Sequence, residues 1–426
     1  MIQRRSRFAA FLAVGILVSS LSVTASAQDV KPKAGDWPWW RGPTHNGIAA
    51  EGEKPPVEWS AKKNIVWRAL VPGRGHGSPI VVGDQVLLAT ADHQHDLHAV
   101  YCYDRKTGNV AWKTVVHEGG VYRGGNKKAS QASTTMACDG ERLYVSLLNK
   151  GAIHTTALDR SGKKLWQTKI TKYIVHQGYG ASPLIYKSLL IVSADNKGSG
   201  VVVALDRKNG EQVWRNKRPK KPNYVSPVIV NVGGRQQLVL TGCDLVSSFN
   251  PLTGKKLWEI AGATTECVTS TVTDGKHIYS SGGYPKNHVA AIRADGSGKI
   301  VWEQKERVYV PSMLIHNGYL YAVADRGIAI CFKSDTGKVA WKKRLGGTTT
   351  ASLVLADGNL FATNEKGKTF VYKANPKKFE QVAVNQLGDH AMASMAIAGG
   401  QIFTRVAEHT DGKRQEVLYC IGKKAD

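Results

Sequence analysis

The sequence is poor in cysteine, in acid and in uninterrupted apolar runs. Its 426 residues hold only 6 Cys, far too few to staple a chain of this length into a disulfide scaffold. Against 58 Lys+Arg there are 33 Asp+Glu, a formal charge of +25, spread along the chain as in a solvated lysine-rich surface rather than collected in one block. No stretch after the N-terminal region approaches the ~20 consecutive apolar residues of a membrane-spanning helix, so an integral helical membrane protein is not expected. No long helix is predicted anywhere. Enzyme signatures are missing too: the chain contains neither H-E-x-x-H nor G-x-S-x-G. The glycine-rich PGRGHGS, Pro72 to Ser78, leads into a strand and lacks the helix N-terminus of a phosphate loop.

What is present begins with an export signature. Arg4, Arg5 and Arg7 precede the apolar run Phe8 to Val18, and Ala25-Ser26-Ala27 supplies a small-residue cleavage site. Residues 1–27 are therefore expected to be removed, with Gln28 as the mature N-terminus and no cysteine there to carry lipid. Export to the periplasm or the extracellular space makes nucleic acid a poor partner for the basic charge. Envelope proteins or an anionic polysaccharide or lipid surface suit it better.

The organisation emerges when the tryptophans are aligned. DRKTGNVAW ends at Trp112, DRSGKKLW at Trp166, DRKNGEQVW at Trp214, NPLTGKKLW at Trp258, ADGSGKIVW at Trp302 and SDTGKVAW at Trp341, each with Gly four residues before Trp. Their spacing of roughly 40–55 residues is that of propeller blades. β-forming runs such as VVVALD and SPIVVGDQVLLAT, separated by Gly or Asp-Gly turns, make each unit a four-stranded antiparallel blade. The Gly permits a tight turn before the outer strand, and the Trp packs between neighbouring blades. Two degenerate units follow, one with Phe379 expected in place of Trp and one from Ala391 to Ile421 that stops after three strands. NIVWRALV, containing Trp67, is predicted to supply the missing strand and close an eight-bladed ring, which removes exposed edges. The segments are a 28–63 Trp-rich strap, a 64–422 propeller and a 423–426 basic tail, and a monomer is expected.

The A-x-D-x-x-T-G-x-x-x-W pattern, seen from Ala204 to Trp214, and the segment WPWWRGPTHNG from Trp37 to Gly47 resemble the repeats of secreted bacterial PQQ-like (quinoprotein-type) eight-bladed propellers. That family includes pyrroloquinoline quinone (PQQ)-dependent alcohol dehydrogenases and the non-enzymatic BamB-type outer-membrane assembly factor. For the enzymes the resemblance implies PQQ with calcium, a vicinal cysteine pair and coordinating Glu, Asn and Asp; this chain has no adjacent cysteines. A non-catalytic binding or assembly scaffold is the first expectation, and a PQQ- and calcium-dependent alcohol or sugar oxidoreductase the alternative.

Topology places the second-to-third-strand and blade-to-blade loops on one face, here the upper face. The funnel there is expected to be lined by His76, Gln131, Tyr179, Tyr224, Glu266, Tyr309 and His390, a mixture able to bind a small molecule or sugar. The longest upper loop runs from His117 to Lys128. Beside it, Asp92, His93, His95, Asp96 and His98 crowd one turn, with imidazole and carboxylate donors of the kind that hold zinc; a hydrated surface turn is the other reading. Cys243 and Cys267 are the one pair placed for a disulfide, while Cys102, Cys331 and Cys420 occupy core positions. Lys106, Lys163, Lys164, Lys208, Lys255, Lys256, Lys299, Lys338, Lys377 and Lys378 fall at turns sharing the lower face. Trp37, Trp39, Trp40 and Arg41 are expected to pack across the disc, with stacking on sugars as the competing role.

Overall fold

The structure is a computed structural model that describes residues 29–423; the expected signal segment and residues 424–426 lie outside it. Thirty-two strands form eight four-stranded antiparallel sheets. Blades 1 to 7 span 80–118, 137–172, 184–218, 228–261, 272–304, 314–344 and 354–386, each running from inner to outer strand in chain order. Blade 8 combines three C-terminal strands, Ala396–Ala398, Gln401–Thr410 and Lys413–Ile421, with Ile65–Val71 as its outer strand, in register from Trp67↔Cys420 to Val71↔Glu416. The ring closes as the sequence predicts.

The repeat is a docking device between blades. Five of the tryptophans lie against the turn glycine of the next blade: Trp67 on Gly108, Trp112 on Gly162, Trp166 on Gly210, Trp214 on Gly254 and Trp302 on Gly337, where a Cβ would stand 2.5–2.7 Å from the indole. All five glycines have positive φ, so turn geometry and close approach both exclude a side chain. The indole N–H donates to a carbonyl of the same turn, as from Trp67 to Arg105 (2.8 Å), Trp166 to Arg207 (3.1 Å) and Trp302 to Ser334 (2.7 Å). A register shift beside the Trp recurs in the outer strands.

Two expectations about the repeat need correction. In ADGSGKIVW the docked glycine is Gly296, packed on Trp258, whereas Gly298 meets Ile260; the longer turn moves the contact by two residues, and the Trp258 indole donates to Gln237 instead (2.8 Å). Phe379 does not replace the Trp of blade 7. Ala383 holds that register position, opposite Val371, while Phe379 sits in the turn and receives Trp341 edge-on at 5.6 Å. The indole missing from blade 7 comes from the strap: Trp59 is buried with Val371, stacks on Phe361 at 6.2 Å and has Ala383 packed against its cluster.

The strap crosses the lower face. Trp37 pairs with Val81 of blade 1, Pro38 accepts from Cys138 of blade 2, Ile48 pairs with Leu355 of blade 7, and Glu53 accepts from Gly399 and Gly400 of blade 8. Midway, the buried Arg41 guanidinium binds the carbonyls of Met313 and Leu353 (2.5 and 3.0 Å), and burial lowers its pKa to about 9. Trp37, Trp39 and Arg41 are buried and pack across the disc as expected, whereas the half-buried Trp40 faces the axis.

Candidate functional site

The inner strands meet around the axis, and two residues before each of them stands a hydroxyl: Ser78, Thr135, Ser182, Ser226, Ser270, Ser312, Ser352 and Ser394. The backbone N–H of one blade donates to the hydroxyl of the next, from Ser78 to Thr135, Thr135 to Ser182, Ser182 to Ser226, Ser270 to Ser312, Ser312 to Ser352 and Ser352 to Ser394, at 2.8–3.0 Å. At Ser270 the hydroxyl accepts the indole N–H of Trp40 (2.7 Å). This collar surrounds a cavity of about 370 Å³ that takes in Trp40 from the strap and the loops of the upper face. The size is within the usual range for small-molecule sites.

Four of the seven expected funnel residues, His76, Tyr179, Tyr224 and Tyr309, line this cavity. Glu266 stands behind them, buried, accepting from the Tyr309 hydroxyl (2.9 Å) and facing His176 Nε2 at 3.1 Å. Gln131 is turned away toward the Gly124 carbonyl of the long insertion (3.5 Å). His390 bridges Ala407 at the edge of blade 8. The Tyr224 hydroxyl is buried without a partner. Asp325 accepts from the Tyr309 backbone (2.7 Å), and burial raises its pKa. Across the mouth, Lys128 of the His117–Lys128 insertion pairs with Glu365 of blade 7 (2.8 Å). With the His176–Glu266 contact between the blade 2–3 and blade 4–5 loops, this ties the rim together.

The His/Asp turn of blade 1 does not gather its donors. Asp92 pairs with His95 (2.7 Å), Asp96 accepts from the backbone of Gly120 and Val121 and so anchors the insertion, and the His93 carbonyl accepts from Arg123. His98 points inward. It is fully buried, 5.7 Å from His117 between ring centres, and His117 lies 5.4 Å from His154 of blade 2. His154 was invisible as a partner in the sequence because the contact crosses blades. Burial first, then the neighbouring His98, His154, Lys164 and Lys150, lowers the His117 pKa to about 3; burial lowers that of His98 to about 4. Among the described residues no three His, Cys, Asp or Glu are placed to hold a metal ion. The expected disulfide is likewise corrected: all six cysteines are free and buried. The Cys243 thiol faces the Lys221 carbonyl (3.7 Å) and that of Cys267 faces Thr264 (3.4 Å), so local partners orient the two sulfurs.

Comparison with known proteins agrees with this architecture. The family model described as outer membrane protein assembly factor BamB matches residues 48–172 and 98–343. The outer membrane protein assembly factor BamB of Burkholderia pseudomallei (strain K96243) is 27% identical over 297 residues, covering 65% of this chain and 68% of that protein. Among solved structures, BamB from Moraxella catarrhalis shares 14% identity at a TM-score of 0.58, covering 85% of this chain and 98% of its own. The quinohemoprotein alcohol dehydrogenase from Comamonas testosteroni shares 13% identity at 0.67, covering 92% and 81%, and a europium-containing methanol dehydrogenase 12% at 0.68, covering 92% and 99%. At those identities the structural likenesses speak for the fold alone. Eight docked blades closed by an N-terminal strand, together with a family match across most of the chain, place this protein in the PQQ-like, BamB-type propeller family.

Proposed function

We propose that this chain is an exported binding scaffold of the cell envelope that presents its upper rim to partner proteins and has no catalytic centre of its own. The observation that carries the reading is the rim itself: loops from distant blades are tied across the mouth by Lys128–Glu365 and His176–Glu266. Loops on a rigid frame are suited to recognition. On this rim Ile174, Tyr284 and Tyr122 are 57%, 55% and 37% exposed. The BamB-type relatives, named as outer-membrane assembly factors, support an envelope partner. The underside is exposed and lysine-rich at the turns, as at Lys106, Lys208, Lys299 and Lys338, and suits an anionic polysaccharide or lipid surface. The test is Ile174→Asp with Tyr284→Asp, read by co-migration with envelope complexes on native gels. Loss of co-migration with the fold retained is expected, and a complex indifferent to both changes would refute the rim as the interface.

A second reading, a PQQ- and calcium-dependent alcohol or sugar oxidoreductase, is favoured by the cavity volume and by the likeness to dehydrogenase structures. The residues present do not fit that centre. Glu266 is already engaged by Tyr309 and His176, Asp325 by backbone and Glu365 by Lys128. Incubation with PQQ and calcium followed by gel filtration decides between the two: no retained quinone absorbance is expected, and stoichiometric retention would overturn the scaffold reading.

A further inference from the structure

Blades 8 and 1 meet where the ring is closed, and behind the cavity lining there the seam carries more positive charge than its acids balance. Arg405, 1% exposed, bonds Glu416 through Nε (2.8 Å) and the Ala89 carbonyl through Nη1 (2.8 Å). Arg414 takes the other oxygen of the same carboxylate (2.7 and 2.9 Å). Arg74 has no carboxylate within ion-pair distance among the described residues. The nearby acids are committed elsewhere, Asp389 to His409 and Glu365 to Lys128. Two guanidiniums therefore share the one Glu416 carboxylate, and the third, Arg74, has none.

The seam also collects unused hydrogen-bonding atoms. Arg74 Nε, Arg405 Nη2, His76 Nε2, His390 Nε2 and Ser78 Oγ are all buried without a partner, and the hydroxyl collar is open between Ser394 and Ser78, the only gap besides the one at Ser226 and Ser270. The glycine-rich segment builds this arrangement. A Cβ on Gly75 would stand 2.1 Å from Arg405 Nη1, and one on Gly77 2.2 Å from the Thr134 carbonyl, so only glycine lets the segment pass between blades 8 and 2 with Arg74 and His76 beside the seam. His76, Ser78 and Ser394 line the central cavity. Burial and the surrounding arginines hold His76 well below its ordinary pKa, leaving a neutral ring able to donate one N–H.

Charge taken out of water is costly when it lacks partners; of the other two buried arginines, Arg218 has its own carboxylate in Asp195 (3.2 Å) and Arg41 has the carbonyls of Met313 and Leu353. We propose that the blade 8–blade 1 seam binds an oxyanion, the phosphate or carboxylate group of a small molecule entering from the upper face, with Arg74 and Arg414 as charge partners and His76 and His390 as hydrogen-bond donors. The site is independent of the rim's protein partner, so either reading can fail alone.

The test is isothermal titration of the full mature chain with inorganic phosphate and, separately, with succinate, at fixed ionic strength against sodium chloride. Saturable 1:1 binding of at least one is expected, and whichever binds identifies the oxyanion. Arg74→Gln should weaken it at least tenfold and Arg74→Gln/Arg414→Gln abolish it, while Lys299→Gln on the lower face leaves it unchanged. A measurement free of variants accompanies this: the bound anion should raise the melting midpoint beyond that given by chloride at equal ionic strength. Absence of saturable binding by both anions, or binding unaltered by Arg74→Gln, would overturn the site.

Discussion

If indole-on-glycine docking holds the blades in register, a single methyl at the contact should loosen it measurably. Gly210 has φ +77° and its added Cβ would lie 2.6 Å from Trp166 Cδ2 and Cε3. Gly318 has the same φ of +77° and nothing within 4 Å, which makes it the matched control. A left-handed alanine costs about 1–2 kcal/mol at either site. Forcing the indole aside adds the overpacking cost of about 1–3 kcal/mol at Gly210 alone. Gly318→Ala should therefore destabilise by about 1.5 kcal/mol and Gly210→Ala by about 3.5, a gap of about 2 kcal/mol. Urea titration followed by tryptophan fluorescence measures the gap, and Trp166 is itself a reporter. Equal losses in the two variants would refute the docking argument, because backbone strain alone would then account for both.

Other outcomes follow from the same structure. His98 and His117, held to about 4 and about 3 mainly by burial, bind fewer protons folded than unfolded, so stability should be full above the ordinary histidine pKa of about 6.5 and fall as pH drops toward those values. The ceiling at pH 5 is on the order of 2 kcal/mol per ring, and His117→Gln should flatten the urea-midpoint profile between pH 7 and 4; an unchanged slope would contradict the buried neutral pair. Trp67→Ala removes a 7% exposed indole from the strand that closes the ring and should cost about 3–5 kcal/mol in urea. Six thiols per chain should react with an alkylating reagent after unfolding without reductant and none rapidly before, since all six are buried and free and burial pushes the Cys138 thiol up to about 11; mass spectrometry showing four would restore the Cys243–Cys267 bridge.

Much of the fold was legible because the repeat is local. The Gly-to-Trp spacing lies within one hairpin, so six copies could be aligned and the seventh, Trp67, recognised without a preceding blade. The features that escaped are made by contacts between blades or by the strap. Trp59 fills blade 7 from a segment some three hundred residues away, and nothing at Ala383 announces it. His154 joins His98 and His117 only because blades 1 and 2 abut. The hydroxyl collar did leave a signal, a Ser or Thr two residues before every inner strand, but it is short and shows itself only once the blades are superposed. Funnel residues were located to within a residue or two, which was enough for His76, Tyr179, Tyr224 and Tyr309 and too coarse for Gln131, where positive φ at 61° turns the side chain away from the axis.

The scaffold reading is tested most directly by site-specific photo-crosslinking in the envelope. A photoreactive residue at Ile174 or Tyr284 on the upper rim should capture an outer-membrane assembly protein, whereas one at Leu252, also exposed (43%) but in a lower turn of blade 4, should not. Capture of such a protein from Leu252 alone, or from neither face, would contradict the account.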